Sequence, residues 1–120
     1  MLINVSNHPS AKWTADQVEA AGIYGGVVDL PFPAVNPLGD SEYFDILADE
    51  YVSKVEDQLD VKAVMVQGEF ILTYRLVNKL KSKGIKCVSA ETRRNVVEGM
   101  DSEGNTVKTS VFKFEKFMEY

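Results

Sequence analysis

At 120 residues the chain has room for one hydrophobic core, since a domain of this size buries roughly two-thirds of the surface that its unfolded form exposes. Its apolar fraction of 45%, charged fraction of 26% and net charge of −5 predict an ordinary soluble globular protein. They exclude a membrane helix, which needs ~20 consecutive apolar residues, and argue against a partner such as long nucleic acid, which is held by accumulated positive charge.

Met1 to Val5 carries no basic stretch ahead of a long apolar run, so it reads as a first strand, Leu2 to Val5, and not as a leader. Ser6-Asn7-His8-Pro9-Ser10 follows as a loop of locally hydrogen-bonding side chains. Thr14 and Gln17 have the spacing of a capping box at the start of a short helix ending near Ala21. After Gly25-Gly26, Val27 to Leu30 forms a second strand, stopped by Pro31, Pro33 and Pro37, which cannot donate to a sheet ladder. Tyr43, Leu47, Tyr51, Val55 and Leu59 recur every four residues and predict an amphipathic helix over 41–59.

Ala63-Val64-Met65-Val66 is a continuous apolar run of the kind buried on both faces, hence a central parallel strand ending at Gln67-Gly68. Leu72, Leu76, Val77 and Leu80 give helical spacing up to Gly84, and Ile85 to Ala90 makes a fourth strand. Its cysteine, Cys87, is the only one in the chain, which excludes an intrachain disulfide and suits a reducing, cytoplasmic location. Val96-Val97-Glu98, the polar turn Asp101 to Asn105 and the run Thr106 to Phe117 then form a β-hairpin. Core packing or a subunit contact explains Phe112, Phe114 and Phe117 more simply than base stacking does.

The order βαβαβαβ plus hairpin predicts an α/β fold: a Rossmann-like parallel sheet flanked by helices, in one domain. Sheets of this kind bind ligands beyond the carboxyl ends of their strands, where the strand order reverses. Three segments fall there: Ser6-Asn7-His8, Gln67-Gly68-Glu69-Phe70, and Glu91 to Asn95, taken as a loop after the fourth strand. Residues 1–60 carry a net charge of −9 and residues 61–120 one of +4, so an anion site should draw its cations from the second half. Lys79, Lys81, Lys83 and Lys86 are expected to solvate a helix end.

Gly68 lets backbone approach a ligand, and the helix starting near Glu69 points free amides outward, although the Glu69 carboxylate could itself satisfy that helix end. Gln67 is suited to hydrogen-bonding a base or ribose, with Thr73 one turn along the helix from Glu69. Arg93 and Arg94 beside Thr92 carry forks that match phosphate oxygens, and the alternative is pairing with Glu91 or Glu98 at the surface. His8, the only histidine, is placed either to move a proton or to brace its loop. No phosphate loop, GxGxxG, CxxC or HExxH occurs, so no cofactor and no metal is expected.

Val66-Gln67-Gly68-Glu69-Phe70, Thr73-Tyr74, Val77-Asn78, Thr92-Arg93-Arg94, Val97-Glu98, Val111-Phe112-Lys113, Phe117 and Tyr120, in that order and spacing, resemble small CRISPR-associated proteins of the Csx group. More narrowly the chain looks like the stand-alone ring nucleases related to CARF domains, most clearly from about residue 64 onward. The resemblance implies a CARF-like homodimer that takes cyclic tetra-adenylate across its two-fold axis. It implies metal-independent cleavage to linear products with 2′,3′-cyclic phosphate ends, by attack of a ribose 2′-hydroxyl on the neighbouring phosphorus. Carried onto this sequence it gives Ser6, Asn7, Gln67, Gly68, Glu69, Phe70, Thr73, Thr92 and Arg94 as ligand-binding residues, with His8 and Arg93 as the catalytic pair. Two other functions fit the residues: a sensor that binds such a ring without cutting it, and a dimeric interaction module working through its hairpin aromatics.

Overall fold

Four parallel strands and one antiparallel strand make a single sheet of order β2-β1-β3-β4-β5, in a computed structural model that describes residues 1–120. The strands are β1 (Leu2–Ser6), β2 (Val27–Asp29), β3 (Ala63–Gln67), β4 (Cys87–Met100) and β5 (Thr106–Glu119). Three helices connect them: α1 (Ala15–Ala21), α2 (Ser41–Glu56) and α3 (Phe70–Ser82), with short 3₁₀ turns at Ser10–Lys12 and Gly22–Tyr24. No helix is long and apolar enough to cross a membrane.

The central strands divide their side chains by strict alternation. Ile3, Val5, Val64, Val66 and Cys87 face α2 and α3, joining Phe44, Ala48, Val55, Leu72, Leu76 and Leu80 in the larger core. Leu2, Ala63, Met65 and Val88 face the other way, onto Trp13 and Ala21, where Phe117 packs against the same cluster. β3 is therefore apolar on both faces through Val66, as a buried parallel strand requires, whereas β1 carries the buried polar residues Asn4 and Ser6 on the face it shares with Leu2.

α2 starts where Asp40 accepts a hydrogen bond from the Tyr43 amide at 2.9 Å. It ends at Glu56, short of the predicted residue 59: Leu59 is exposed, and Asp60 turns the chain with φ +56°. The charge difference between the halves is settled across the α2–α3 interface, where Arg75 meets Asp45 at 2.8 Å, Lys79 meets Asp49 at 3.0 Å and Lys83 meets Glu56 at 3.0 Å. Those cations are paired on the far side of the sheet from α1 and do not form an anion site.

The largest departure from the expected fold lies in β4. Glu91 to Asn95 is not a loop: β4 continues unbroken to Met100 because β5 returns beside it and pairs with it from Val88↔Glu119 to Met100↔Thr106. The turn between them is held by Asp101, whose carboxylate accepts from the Glu103 and Asn105 amides, each at 2.9 Å. Those backbone bonds hold the Asp101 carboxyl below its ordinary range. Glu91 pairs with Lys116 and Thr92 with Phe114, so Glu115 is an extra residue, a β-bulge. The bulge lets Phe112, Phe114 and Phe117 share one face despite their uneven spacing.

Beyond the body the two strands form a two-stranded arm. It gives the molecule extents of 55 × 38 × 21 Å and a radius of gyration of 17.1 Å, against ~14 Å for a compact chain of this length. Val96, Val97, Met100 and Phe112 lie exposed along it.

β3 and β4 pair only through Val64↔Cys87 and Met65↔Val88, then separate. Two side chains bridge the gap. Gln67 donates to Ala90 O at 3.3 Å and accepts from Ala90 N at 2.8 Å, and Tyr120 donates its hydroxyl to Val66 O at 2.6 Å. Burial pushes the Tyr120 phenol above its ordinary value, which favours the protonated, donating form.

Two predictions arise from this packing. A Cβ at Gly68 would stand 2.5 Å from the Phe32 ring, which is buried as part of the larger core. Gly68→Ala should therefore displace that ring and cost about 1–3 kcal/mol, seen as a lower denaturant midpoint at unchanged slope. Burial raises the Cys87 thiol to about 11, so at pH 8 it should react with a disulfide reagent only upon unfolding. Rapid labelling of the native protein would contradict that.

Candidate functional site

The strand order reverses between β1 and β3, because β2 lies on one side of β1 while β3, β4 and β5 lie on the other. Such a reversal opens a crevice at the carboxyl ends of the two strands, and here Ser6 and Gln67 stand side by side at those ends. A cavity of about 250 Å³ occupies this position, roofed on one side by α1 and on the other by the base of the arm. Met65, Ala90, Phe112 and Phe114 form its apolar wall, and Ser6, His8, Thr14, Gln17, Gln67 and Thr92 supply its polar groups.

His8 is held by its backbone. Its carbonyl accepts from Asn4 Nδ2 at 2.9 Å and Trp13 Nε1 at 3.0 Å, and its amide donates to Ser6 Oγ at 3.1 Å. Ser6 Oγ in turn donates to Asn4 Oδ1 at 2.6 Å, and Asn4 Nδ2 lies 2.9 Å from Asp29 Oδ1. Asp29 also accepts from the Ser10 hydroxyl at 3.0 Å, which ties the loop to β2. Polar groups on β1 are thus satisfied by one another, whereas the His8 imidazole has no hydrogen-bond partner and borders the cavity. An imidazole with a fixed backbone and free nitrogens is suited to proton transfer or to a ligand hydrogen bond.

Several expected site residues are placed elsewhere. Gln67 lines the cavity, but its amide is committed to the Ala90 backbone. Gly68 lies under Phe32. Glu69 caps α3, its two oxygens accepting from Ile71 N at 2.9 Å and Leu72 N at 2.7 Å, so a carboxylate already fills the anion position at that helix end. Phe70 is exposed at the start of α3, and Thr73, whose Oγ1 is buried without a partner, does not line the cavity. The segment after β3 therefore bridges strands and caps α3, and of its residues only Gln67 lines the cavity. Asn7 borders a separate hollow beside Asp29 and Pro31.

The two arginines part company because they sit on a strand. Thr92 and Arg94 are opposite Phe114 and Phe112, on the cavity face. Arg93 faces away and pairs with Glu115 at 3.0 Å, so it is not at the cavity. Arg94, two residues farther out along the arm than Thr92, donates Nε to Ser110 Oγ at 3.0 Å. No lysine or arginine lines the cavity itself.

Thr14, Gln17, Phe112 and Phe114 line the cavity and were not expected there. Thr14 is the N-cap of α1 but makes no capping hydrogen bond, and Gln17 does not complete a capping box. Instead Gln17 is 6% exposed, with an amide that makes no hydrogen bond within the chain. Its amide atoms are not sealed from solvent, so they remain open to water or to a ligand. The only legible signal was an apolar-facing glutamine between Ala15 and Ala21 in a helix too short to waste a core position.

No three His, Cys, Asp or Glu side chains are grouped so as to hold a metal ion. Searches of the curated proteins and of the solved structures returned no match. A family model does match, over residues 1–118, and by that nearly complete coverage the chain belongs to the family described as the Uncharacterized protein MJ1673 family.

Proposed function

We propose that this protein is a Rossmann-like, CARF-like domain that binds cyclic oligoadenylate, in the first place cyclic tetra-adenylate, and cleaves it as a homodimer without a metal ion. The observation that carries the proposal is the convergence of the unpartnered His8 imidazole, the Thr92 hydroxyl and an aromatic wall on one cavity at the β1/β3 reversal. At about 250 Å³ the space is below the ~300–1,000 Å³ of sites that enclose a drug-sized ligand. It suits one nucleoside of a ring, and a ring with two-fold symmetry supplies one to each of two copies. The exposed face of Phe112 and the apolar positions Val96 and Met100 give the arm a surface for the second copy.

In the proposed reaction a ribose 2′-oxygen attacks the adjacent phosphorus, its proton passing to His8, and the bond from phosphorus to the 5′-oxygen breaks as that oxygen takes a proton from water, His8 afterwards returning its own proton to solvent. The products carry a 2′,3′-cyclic phosphate and a 5′-hydroxyl. Arg94, on the cavity face of β4 though outside the cavity lining, takes the charge-stabilising role for which Arg93 is turned the wrong way. Only a few phosphates need neutralising, so the acidic remainder of the chain is no obstacle.

A second reading, a sensor that binds the ring and leaves it intact, is favoured by the absence of any cation from the cavity lining. Incubation of purified protein with cyclic tetra-adenylate in EDTA, with chromatography of the products, separates the two. Multiple turnovers support the nuclease, stoichiometric binding without products supports the sensor, and no binding rejects both.

A further inference from the structure

Gln17 is the one buried cavity residue whose polar side-chain atoms make no hydrogen bond within the chain. It is 6% exposed, on the inner face of α1, its amide atoms stay accessible, and it lines the same space as Phe112 and Phe114. Ser6 and Gln67, by contrast, spend their polar groups on Asn4 and Ala90. We infer that the cavity is an adenine seat, in which the Gln17 amide reads the edge of the base while Phe112 and Phe114 bear on its ring. The inference rests on the nucleotide reading given above and names the residue that sets its base preference.

The chemistry of the amide selects the base. Oε1 accepts one hydrogen bond and Nε2 donates, which matches the adjacent amino donor and ring-nitrogen acceptor of adenine in a bidentate pair. Guanine offers two acceptors, O6 and N7, on the corresponding edge, so one amide atom would face a like group. The wall fits a flat apolar partner, since Phe114 is held by the arm and packs at 5.0 Å centroid distance on Phe117, which is fixed in turn by Trp13 and Tyr24. Rings anchored in this way stack on a base with little loss of side-chain freedom.

The test uses the full chain labelled with ¹⁵N, titrated in separate arms with adenosine monophosphate, guanosine monophosphate and cyclic tetra-adenylate. Adenosine monophosphate should shift the Gln17 side-chain amide signals and bind about tenfold or more tightly than the guanosine compound. Gln17→Met, which keeps the volume and removes the hydrogen bonds, should lose about tenfold in affinity for adenosine monophosphate. Gln17→Glu, which removes the donor, should lose at least as much and narrow the preference over guanosine. Unmoved Gln17 amide signals at millimolar nucleotide, equal binding of the two bases, or undiminished adenosine binding in both variants would overturn the inference. If adenosine monophosphate shifts Gln17 but cyclic tetra-adenylate is neither bound nor cut, the seat stands and the ring-nuclease reading fails. If the ring is cut equally well by wild type and both variants, the reverse holds.

Discussion

In the proposed cleavage of cyclic tetra-adenylate, replacing His8 with alanine is expected to lower the rate by about 10²–10⁴-fold, the usual range for loss of a positioned acid–base group, with little change in stability. The two halves of that expectation come from different atoms of the same residue. The His8 backbone is bound to Asn4, Ser6 and Trp13, and alanine keeps every one of those bonds. Its imidazole is exposed at the cavity and bonded to nothing in the chain, so its removal should move the unfolding free energy by no more than about 0.5 kcal/mol. Binding of the ring should survive, because the aromatic wall is untouched. His8→Gln sharpens the result: it retains a hydrogen-bonding group but cannot carry a proton, and should be as inactive as alanine. Full activity in His8→Gln would assign His8 to ligand contact and leave the proton to another group.

Much of the fold was legible because it follows from periodicity. The continuous apolar run Ala63 to Val66 fits a strand buried on both sides, and the four-residue repeat through Tyr43, Leu47 and Tyr51 marks an amphipathic helix. The candidate site was less legible, for a physical reason: sequence shows which groups a residue carries and not which of them are already engaged. Gln67 and Glu69 have the right chemistry in the right segment, yet one bridges two strands and the other caps its own helix. Gln17 has the spacing of a capping residue, and only the packing of α1 against β5 places it at the cavity with its amide unbonded. Arg93 and Arg94 differ by one position, and whether that matters depends on their lying in a strand, where neighbours face opposite ways. That in turn depends on β5, whose pairing with β4 is set by contacts remote in sequence and whose bulge at Glu115 displaces the aromatic pattern by one residue.

Asn4→Ala is expected to destabilise the protein by about 3 kcal/mol, lowering the melting temperature by roughly 10 °C for a domain of this size, and to lower cleavage as well. Asn4 is 1% exposed and does not line the cavity. Its amide joins three elements: it donates to the His8 carbonyl and to Asp29, and accepts from the Ser6 hydroxyl. Alanine leaves the Ser6 hydroxyl without its acceptor and deprives the Asp29 carboxylate of a donor in a part of the protein that water reaches poorly. The loop that positions His8 is then tied to the sheet by fewer bonds, so activity should fall together with stability, unlike in His8→Ala. A void left by the missing side chain could also explain a loss of stability, and Asn4→Asp separates the causes. Aspartate fills the space and still accepts from Ser6, but it replaces the donor 2.9 Å from Asp29 Oδ1 with a second carboxylate oxygen. If the hydrogen-bond network is what holds the loop, Asn4→Asp should be at least as unstable as Asn4→Ala at neutral pH, because two carboxylates at that separation repel. A variant restored nearly to wild-type stability would show that volume, and not the polar network, is what this position contributes.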